Sequence, residues 1–149
     1  PDAQAAAEAA FSCLSSALSG ANLVHDSGWL DHGSVASPAF MVLVNEILHM
    51  VNQYMGGIPM DDEAIALDLM DQVGPGGHYL LEEHTLKHFR NVWYSDLFDR
   101  SIYDQWQAQG AKRFEERLQE QTQLAMEHQA APLPDDVAQE LARMEKHWE

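Results

Sequence analysis

One short run in this chain, Ala21-Asn22-Leu23-Val24-His25, reads as a buried β-strand, while nearly everything else is patterned for helices. A lone strand cannot satisfy its own backbone donors and acceptors or make a sheet. It calls for neighbouring strands that this sequence does not supply. The order helix, strand, glycine-bearing loop, helix matches the last turn of an α/β barrel. The expected parent fold is therefore α/β, with this chain a mostly α-helical segment carrying the last barrel strand and helix plus a helical extension. The remaining strands are expected upstream. The first residue is Pro1 rather than methionine, which fits a fragment or a processed chain.

The helices are legible from caps and periodicity. Asp2 can cap a helix that runs to about Leu18 and stops at Gly20. Its alanines suit close packing against a neighbour. Ser37-Pro38 opens a second helix, a capping hydroxyl followed by proline at the first helical position. Phe40, Met41, Leu43, Val44, Ile47, Leu48 and Val51 give that helix one broad apolar face, and Gly56-Gly57 ends it. Asp61 or Asp62 caps a helix from Glu63 to Val73, with Ile65, Leu67, Leu69 and Met70 inward. Further helices are expected over Glu82–Val92, Ser101–Gln109 and Ala111–Glu127, the last with Phe114, Leu118 and Leu124 on one stripe. Pro132-Leu133-Pro134 is a linker before a final helix striped with Val137, Leu141, Met144 and Trp148. The expected divisions are the barrel end at 1–57, a helical extension at 58–131, and the linker with its helix at 132–149.

Composition excludes several functions. With 149 residues and 46% hydrophobic content, the chain fits one ordered domain. Eight Lys plus Arg stand against 24 Asp plus Glu, a formal net charge of −16. So little positive charge argues against nucleic acid and anionic membrane surfaces as partners. Cationic ligands or basic protein patches suit such a surface, although solubility alone is the plainer reason for the charge. No apolar run reaches the ~18 residues of a membrane span, and the N-terminus, Pro1-Asp2-Ala3-Gln4, shows no basic region followed by an apolar core, so no signal peptide is expected. The single cysteine, Cys13, cannot make an internal disulfide, so a cytoplasmic location is expected.

The densest block is Val73-Gly74-Pro75-Gly76-Gly77-His78, followed by His84-Thr85 and His88-Phe89-Arg90. With Gly20-Ala21-Asn22-Leu23-Val24-His25-Asp26-x-Gly28, Gly33-Ser34-x-x-Ser37-Pro38 and Asp61-Asp62-Glu63, it resembles the C-terminal part of the trimethylamine methyltransferase family. Pro1-Asp2-Ala3-Gln4 resembles a segment entering that family's penultimate helix. The resemblance covers nearly the whole chain. It implies a TIM barrel enzyme that passes a methyl group from trimethylamine, or from a quaternary amine such as glycine betaine, to the reduced cobalt of a corrinoid (cobalamin) carried by a partner protein. This chain would cover roughly the last third of such an enzyme, too little for a closed barrel of about 250 residues. By itself it is expected to be inactive, to bind no corrinoid alone, and to need the missing N-terminal part of the barrel. If ordered alone, it is expected to pair with a second copy as a homo-oligomer.

Barrel enzymes place their chemistry at strand C-termini. His25 and Asp26 are therefore the candidate catalytic residues. Trp29, Asp31 and His32 are substrate-binding candidates: an indole face can hold a methylated ammonium and a carboxylate can balance its charge. A loop that merely caps the barrel mouth is the plainer reading. His78 and Tyr79 are further substrate-binding candidates, and Gly74, Gly76 and Gly77 form either a structural turn or a corrinoid-facing surface. A helix C-cap with a tight return explains those glycines equally well. His84 and His88 share a helix face and are read as hydrogen-bonded to backbone or carboxylates, with no metal assigned. Arg90 is expected to pair with a semi-buried acid. Trp93, Tyr94, Phe98, Tyr103 and Trp106 are expected to anchor the C-terminal helices or to form an interface. The competing class is a non-catalytic helical interaction or oligomerisation module. A metal-binding protein is the weaker third.

Overall fold

Three helices make the core. Asp2 accepts a hydrogen bond from the Ala5 amide (2.9 Å) and opens α1, Ala3–Leu18. Ser37 accepts from the Phe40 amide (3.2 Å) and opens α2, Pro38–Met55. These are the two helices whose caps are clearest in the sequence. They pack on each other, and α7, Phe114–Glu127, also packs on α2. The computed structural model describes residues 1–148; Glu149 and the side chain of Trp148, counted in the last helix's apolar stripe, lie outside the described residues. Cys13, Phe40, Leu43, Val44, Ile47, Val51, Leu97 and Leu118 form the core, with Leu43 and Ile47 fully buried. Burying each such aliphatic side chain stabilises by roughly 1.5–3 kcal/mol.

One acid lies in this apolar core. Glu46, 6% exposed on α2, accepts hydrogen bonds from Ser95 Oγ and from the Asp96 amide (3.1 Å). Ser95 Oγ in turn accepts from the amides of Leu97 (3.2 Å) and Phe98 (2.6 Å). A buried carboxylate is tolerable when its lone pairs are met in this way. Arg117 on α7 fastens the same turn from the other side. It donates to the carbonyls of Leu97 (3.1 Å) and Lys112 (2.7 Å) and to Asp99 Oδ2 (3.3 Å). Phe98 stacks on Phe114, with ring centroids 5.5 Å apart.

Several expectations are corrected. Residues 21–25 form no strand: all five are exposed, and the run has no sheet partner among the described residues. The strands among the described residues are β1, Trp29–Leu30, and β2, Val35–Ala36, an antiparallel pair with Trp29 opposite Ala36. β1 lies within 26–34, the segment expected to be loop, and β2 follows directly after it. A strand exists only where a ladder forms, and among the described residues nothing pairs with 21–25. The helix expected over 63–73 is broken into α3, Asp62–Ile65, and α4, Leu67–Val73, because Ala66 turns left-handed (φ 51°). Alanine carries no signal for that break. Leu67 and Met70, expected inward, are exposed, as is Leu124 on α7. Arg90 makes no ion pair among the described residues; its guanidinium lies over the adjacent Phe89 ring, 5.4 Å from the centroid. The anchoring arginine is Arg117. Shorter helices α5, Glu83–His88, and α6, Tyr103–Ala108, complete the middle of the chain, and α8, Asp135–Trp148, ends it.

The surface is large. At 12355 Å² it exceeds the roughly 7,600 Å² that size scaling gives a self-contained domain of this mass. Leu23, Ile58, Leu80 and Leu81 are almost wholly exposed. Among the described residues, no helix is long and apolar enough to cross a membrane.

The α3–α5 junction is held electrostatically. Glu63 receives Lys87 Nζ and, at 3.1 Å, His88 Nε2, while His84 Nε2 contacts the Glu63 carbonyl (2.8 Å). The bond from Lys87, then that from His88, holds the Glu63 carboxyl below its ordinary range, and the same bond raises Lys87. A carboxyl depressed by folding contributes stability above its unfolded pKa of about 4.3 and loses it as pH falls through the folded value. The α3–α5 contact is therefore expected to loosen only in that acid window. Amide chemical shifts of residues 84–88 followed against pH should show the transition, and Glu63→Gln should abolish it. Exposure of the pair keeps the effect small.

Candidate functional site

The loop from Gly20 to Ser37 is built on a close backbone approach. Gly28 is buried at φ +89°, and a Cβ there would run into Met41 of α2, whose own Cβ and Cα lie 3.1 and 3.2 Å from it. Only glycine fits on both counts. The Gly28 carbonyl accepts from the Ser37 amide (2.9 Å), and the Asp26 carbonyl accepts from the Trp29 amide (3.2 Å). Asp26 (φ 64°), Asp31 (φ 48°) and His32 (φ 53°) all stand in the left-handed region. Among the described residues five non-glycines do so, and three are here. Strain of order 1 kcal/mol or more per residue is concentrated in this loop, as in many ligand-holding segments.

Against α1 the loop encloses an open cleft of ≈ 760 Å³. Its walls include His25, Asp26, Trp29, Asp31 and His32, so all five loop candidates share one cleft. His25 Nδ1 lies 2.7 Å from Asp26 Oδ2, a charge-assisted orientation of the imidazole. Ser34 Oγ stands within hydrogen-bond reach of both Asp31 Oδ2 (2.7 Å) and the Asp31 carbonyl (2.6 Å), with one proton to donate to either. His32 Nδ1 is 3.8 Å from Asp31 Oδ1. Trp29 is 42% exposed, so part of its indole is open to a ligand. The opposite wall is Ala5, Glu8, Ala9, Ser12 and Cys13, with Phe40 and Val44 also lining the cleft.

Those α1 residues were missed as site residues, although positions 5, 8, 9, 12 and 13 mark one helix face. Burial pushes the Cys13 thiol up, so it stays protonated and packs as a small apolar group. The wall carries three carboxylates, Glu8, Asp26 and Asp31, and neither lysine nor arginine. Apolar surface, an exposed indole and acids without fixed counter-cations suit a small organic cation.

The glycine–histidine block lies outside this cleft. Gly74 (φ 65°) caps α4, its amide donating to the Met70 carbonyl (3.0 Å), and Gly76 (φ 79°) turns the chain. At Gly77 a Cβ would sit 2.6 Å from the Val73 carbonyl oxygen, so the return passes hard against the helix end. His78 and Tyr79 follow on the surface. The Tyr79 carbonyl accepts from Thr85 Oγ1 (2.6 Å) and from the Glu82 amide (3.1 Å). This geometry is that of a helix cap with a tight return, and none of these five residues lines the loop cleft. Among the described residues, no three His, Cys, Asp or Glu side chains are placed to share a metal ion.

Residues 1–147 match the family model described as trimethylamine methyltransferase. A trimethylamine methyltransferase of Desulfitobacterium hafniense is 38% identical over 139 residues, covering 93% of this chain and 28% of that protein. A glycine betaine methyltransferase of the same species is 37% identical over 107 residues, 70% of this chain and 22% of that protein. A trimethylamine methyltransferase of Methanosarcina mazei is 32% identical over 142 residues, 95% of this chain and 29% of that protein. The chain thus spans less than a third of the length of these relatives.

Proposed function

Because the chain belongs to the trimethylamine methyltransferase family, we propose that its loop cleft forms part of the site where a longer methyltransferase holds a methylated ammonium as the methyl group leaves. The observation that carries this reading is the cleft's lining: one open indole, three carboxylates and neither lysine nor arginine. A methyl group leaves nitrogen with the C–N electrons remaining on nitrogen. The leaving amine is neutral only if the nitrogen starts as a cation. A quaternary amine such as glycine betaine meets that condition already; trimethylamine meets it when protonated. Glu8, Asp26 and Asp31 favour the cationic form, and Trp29 faces it with its ring quadrupole. His25, oriented through Nδ1 by Asp26, presents Nε2 to hold or exchange a proton with a protonated amine.

On the family's pattern the methyl acceptor is the reduced cobalt of a corrinoid on a partner protein. A cleft of this size and lining suits a small ammonium rather than a corrinoid macrocycle, so no residue of this chain is assigned to hold that group. The exposed, unpaired run 21–25 supports completion by strands from the rest of a barrel.

In a full-length enzyme carrying this segment, Trp29→Ala and Asp26→Asn are each expected to lower kcat/KM by about ten- to a hundredfold, with Trp29→Ala acting mainly through KM. Wild-type turnover in both variants, with folding intact, would overturn the site. It would also favour the second reading, a non-catalytic interaction module, which the large exposed apolar surface supports.

A further inference from the structure

The stretch from Asn52 to Asp96 has no core of its own: every residue in it is exposed or half-buried. Segments of this kind are commonly held by a staple, a metal ion among them. Within it, α3 and α5 border an open pocket of ≈ 380 Å³ lined by Asp61, Glu63, His84 and His88. The two histidines stand four apart on α5, both half-buried, with ring centroids 4.5 Å apart. Both turn Nε2 toward one residue of α3. His84 Nε2 lies 2.8 Å from the Glu63 carbonyl oxygen, and His88 Nε2 lies 3.1 Å from Glu63 Oε1. Two imidazoles one helical turn apart, presenting the same ring nitrogen to one side, form a chelating pair.

We propose that this pocket takes a divalent metal ion of the borderline class, zinc foremost, with His84 and His88 as nitrogen ligands and Glu63 as the carboxylate. Imidazole suits zinc, nickel or copper, whereas calcium and magnesium take oxygen ligands. Lys87 Nζ holds the Glu63 carboxylate in this structure, and no three donor side chains stand together among the described residues. The metal replaces that ammonium. It meets the same carboxylate with two charges instead of one and gains two nitrogen ligands besides. Asn91 supports the pair from behind, its side-chain amide 3.0 Å from His88 Nδ1. Coordination at Nε2 leaves a proton on Nδ1, which the amide oxygen accepts once the amide turns over. Asp61 keeps Oδ1 on the Ala64 amide (2.8 Å) and adds negative charge to the pocket. A formal net charge of −16 draws cations to the whole surface; the imidazole pair is what sets this pocket apart. The bound ion ties α3 to α5 where no core does.

Zinc ion titrated into the whole 149-residue chain tests the site. Calorimetry is expected to show one saturable site per chain, with the imidazole resonances of His84 and His88 moving together. His84→Ala and His88→Ala should each weaken binding about tenfold or more. Lys87→Met should tighten it by removing the competing ammonium. His128→Ala, which does not line the pocket, should leave it unchanged. All four positions lie outside the core, so an unchanged melt shows that the variants fold. Calcium at equal concentration should not compete. The absence of a saturable site, or binding that survives the loss of both histidines, overturns the proposal. Competition by calcium overturns it as well, because carboxylates alone would then be the site. Binding no tighter in Lys87→Met overturns the assignment of Glu63.

Discussion

Gly28→Ala is expected to lower the stability of the chain by about 2–4 kcal/mol, from overpacking and a forced positive φ together. The new methyl would have to displace Met41 on α2, and alanine at φ +89° adds backbone strain. For a chain of this length that corresponds to a fall in melting midpoint of roughly 5–15 °C. Gly33→Ala is the matched control. It has a similar φ of +86° but nothing within 4 Å of the added carbon, so it carries the strain alone. Thermal melts of the two variants should differ by the packing contribution. Equal melts would mean that Met41 moves aside freely and that the loop is not seated where the structure has it. In a full-length enzyme, Gly28→Ala should also depress methyl transfer, since Asp26 and Trp29 flank the displaced backbone.

Glu46→Ala is the second large effect. Removing the carboxylate leaves the Asp96 amide and Ser95 Oγ without their acceptor at the edge of the core, a loss of about 2–4 kcal/mol. Glu46→Gln keeps one acceptor oxygen and is expected to cost about 1 kcal/mol. Because Ser95 passes the contact on to the amides of Leu97 and Phe98, Ser95→Ala and Glu46→Ala should not add. A double-mutant cycle by urea unfolding reads this directly. Strict additivity would mean that the two side chains do not act as one unit.

Glu46 also shows where sequence reasoning stopped. It stands at helical spacing from Leu43 and next to Ile47, and an acid on an apolar stripe is a legible anomaly that needs a partner. The partner is Ser95, which no local pattern ties to it. The helices opened by Asp2 and by Ser37-Pro38 were legible because their start signals are local. That His25, Asp26, Trp29, Asp31 and His32 would stand close together was legible for the same reason, since they lie within one short segment. The run 21–25 was misread because strand identity depends on a neighbour, and composition alone cannot report one. The break at Ala66 was invisible, since alanine is the best helix former and yet turns left-handed here. Arg117 was overlooked for Arg90: both sit in charged company, and only the fold brings Asp99 and two carbonyls to one of them.

The site loop is fastened by main chain and glycine rather than by its reactive side chains. Gly28 against Met41, the Ser37 amide on Gly28 and the Trp29 amide on Asp26 hold it down. His25, Asp31 and His32 are exposed and take no part in the core. On the proposed reading, the residues that meet the ligand can therefore be exchanged without unfolding their support. One scaffold could be retuned from a small amine to a bulkier carboxylated one by a few surface substitutions, so divergence in substrate among relatives need not be limited by loss of stability.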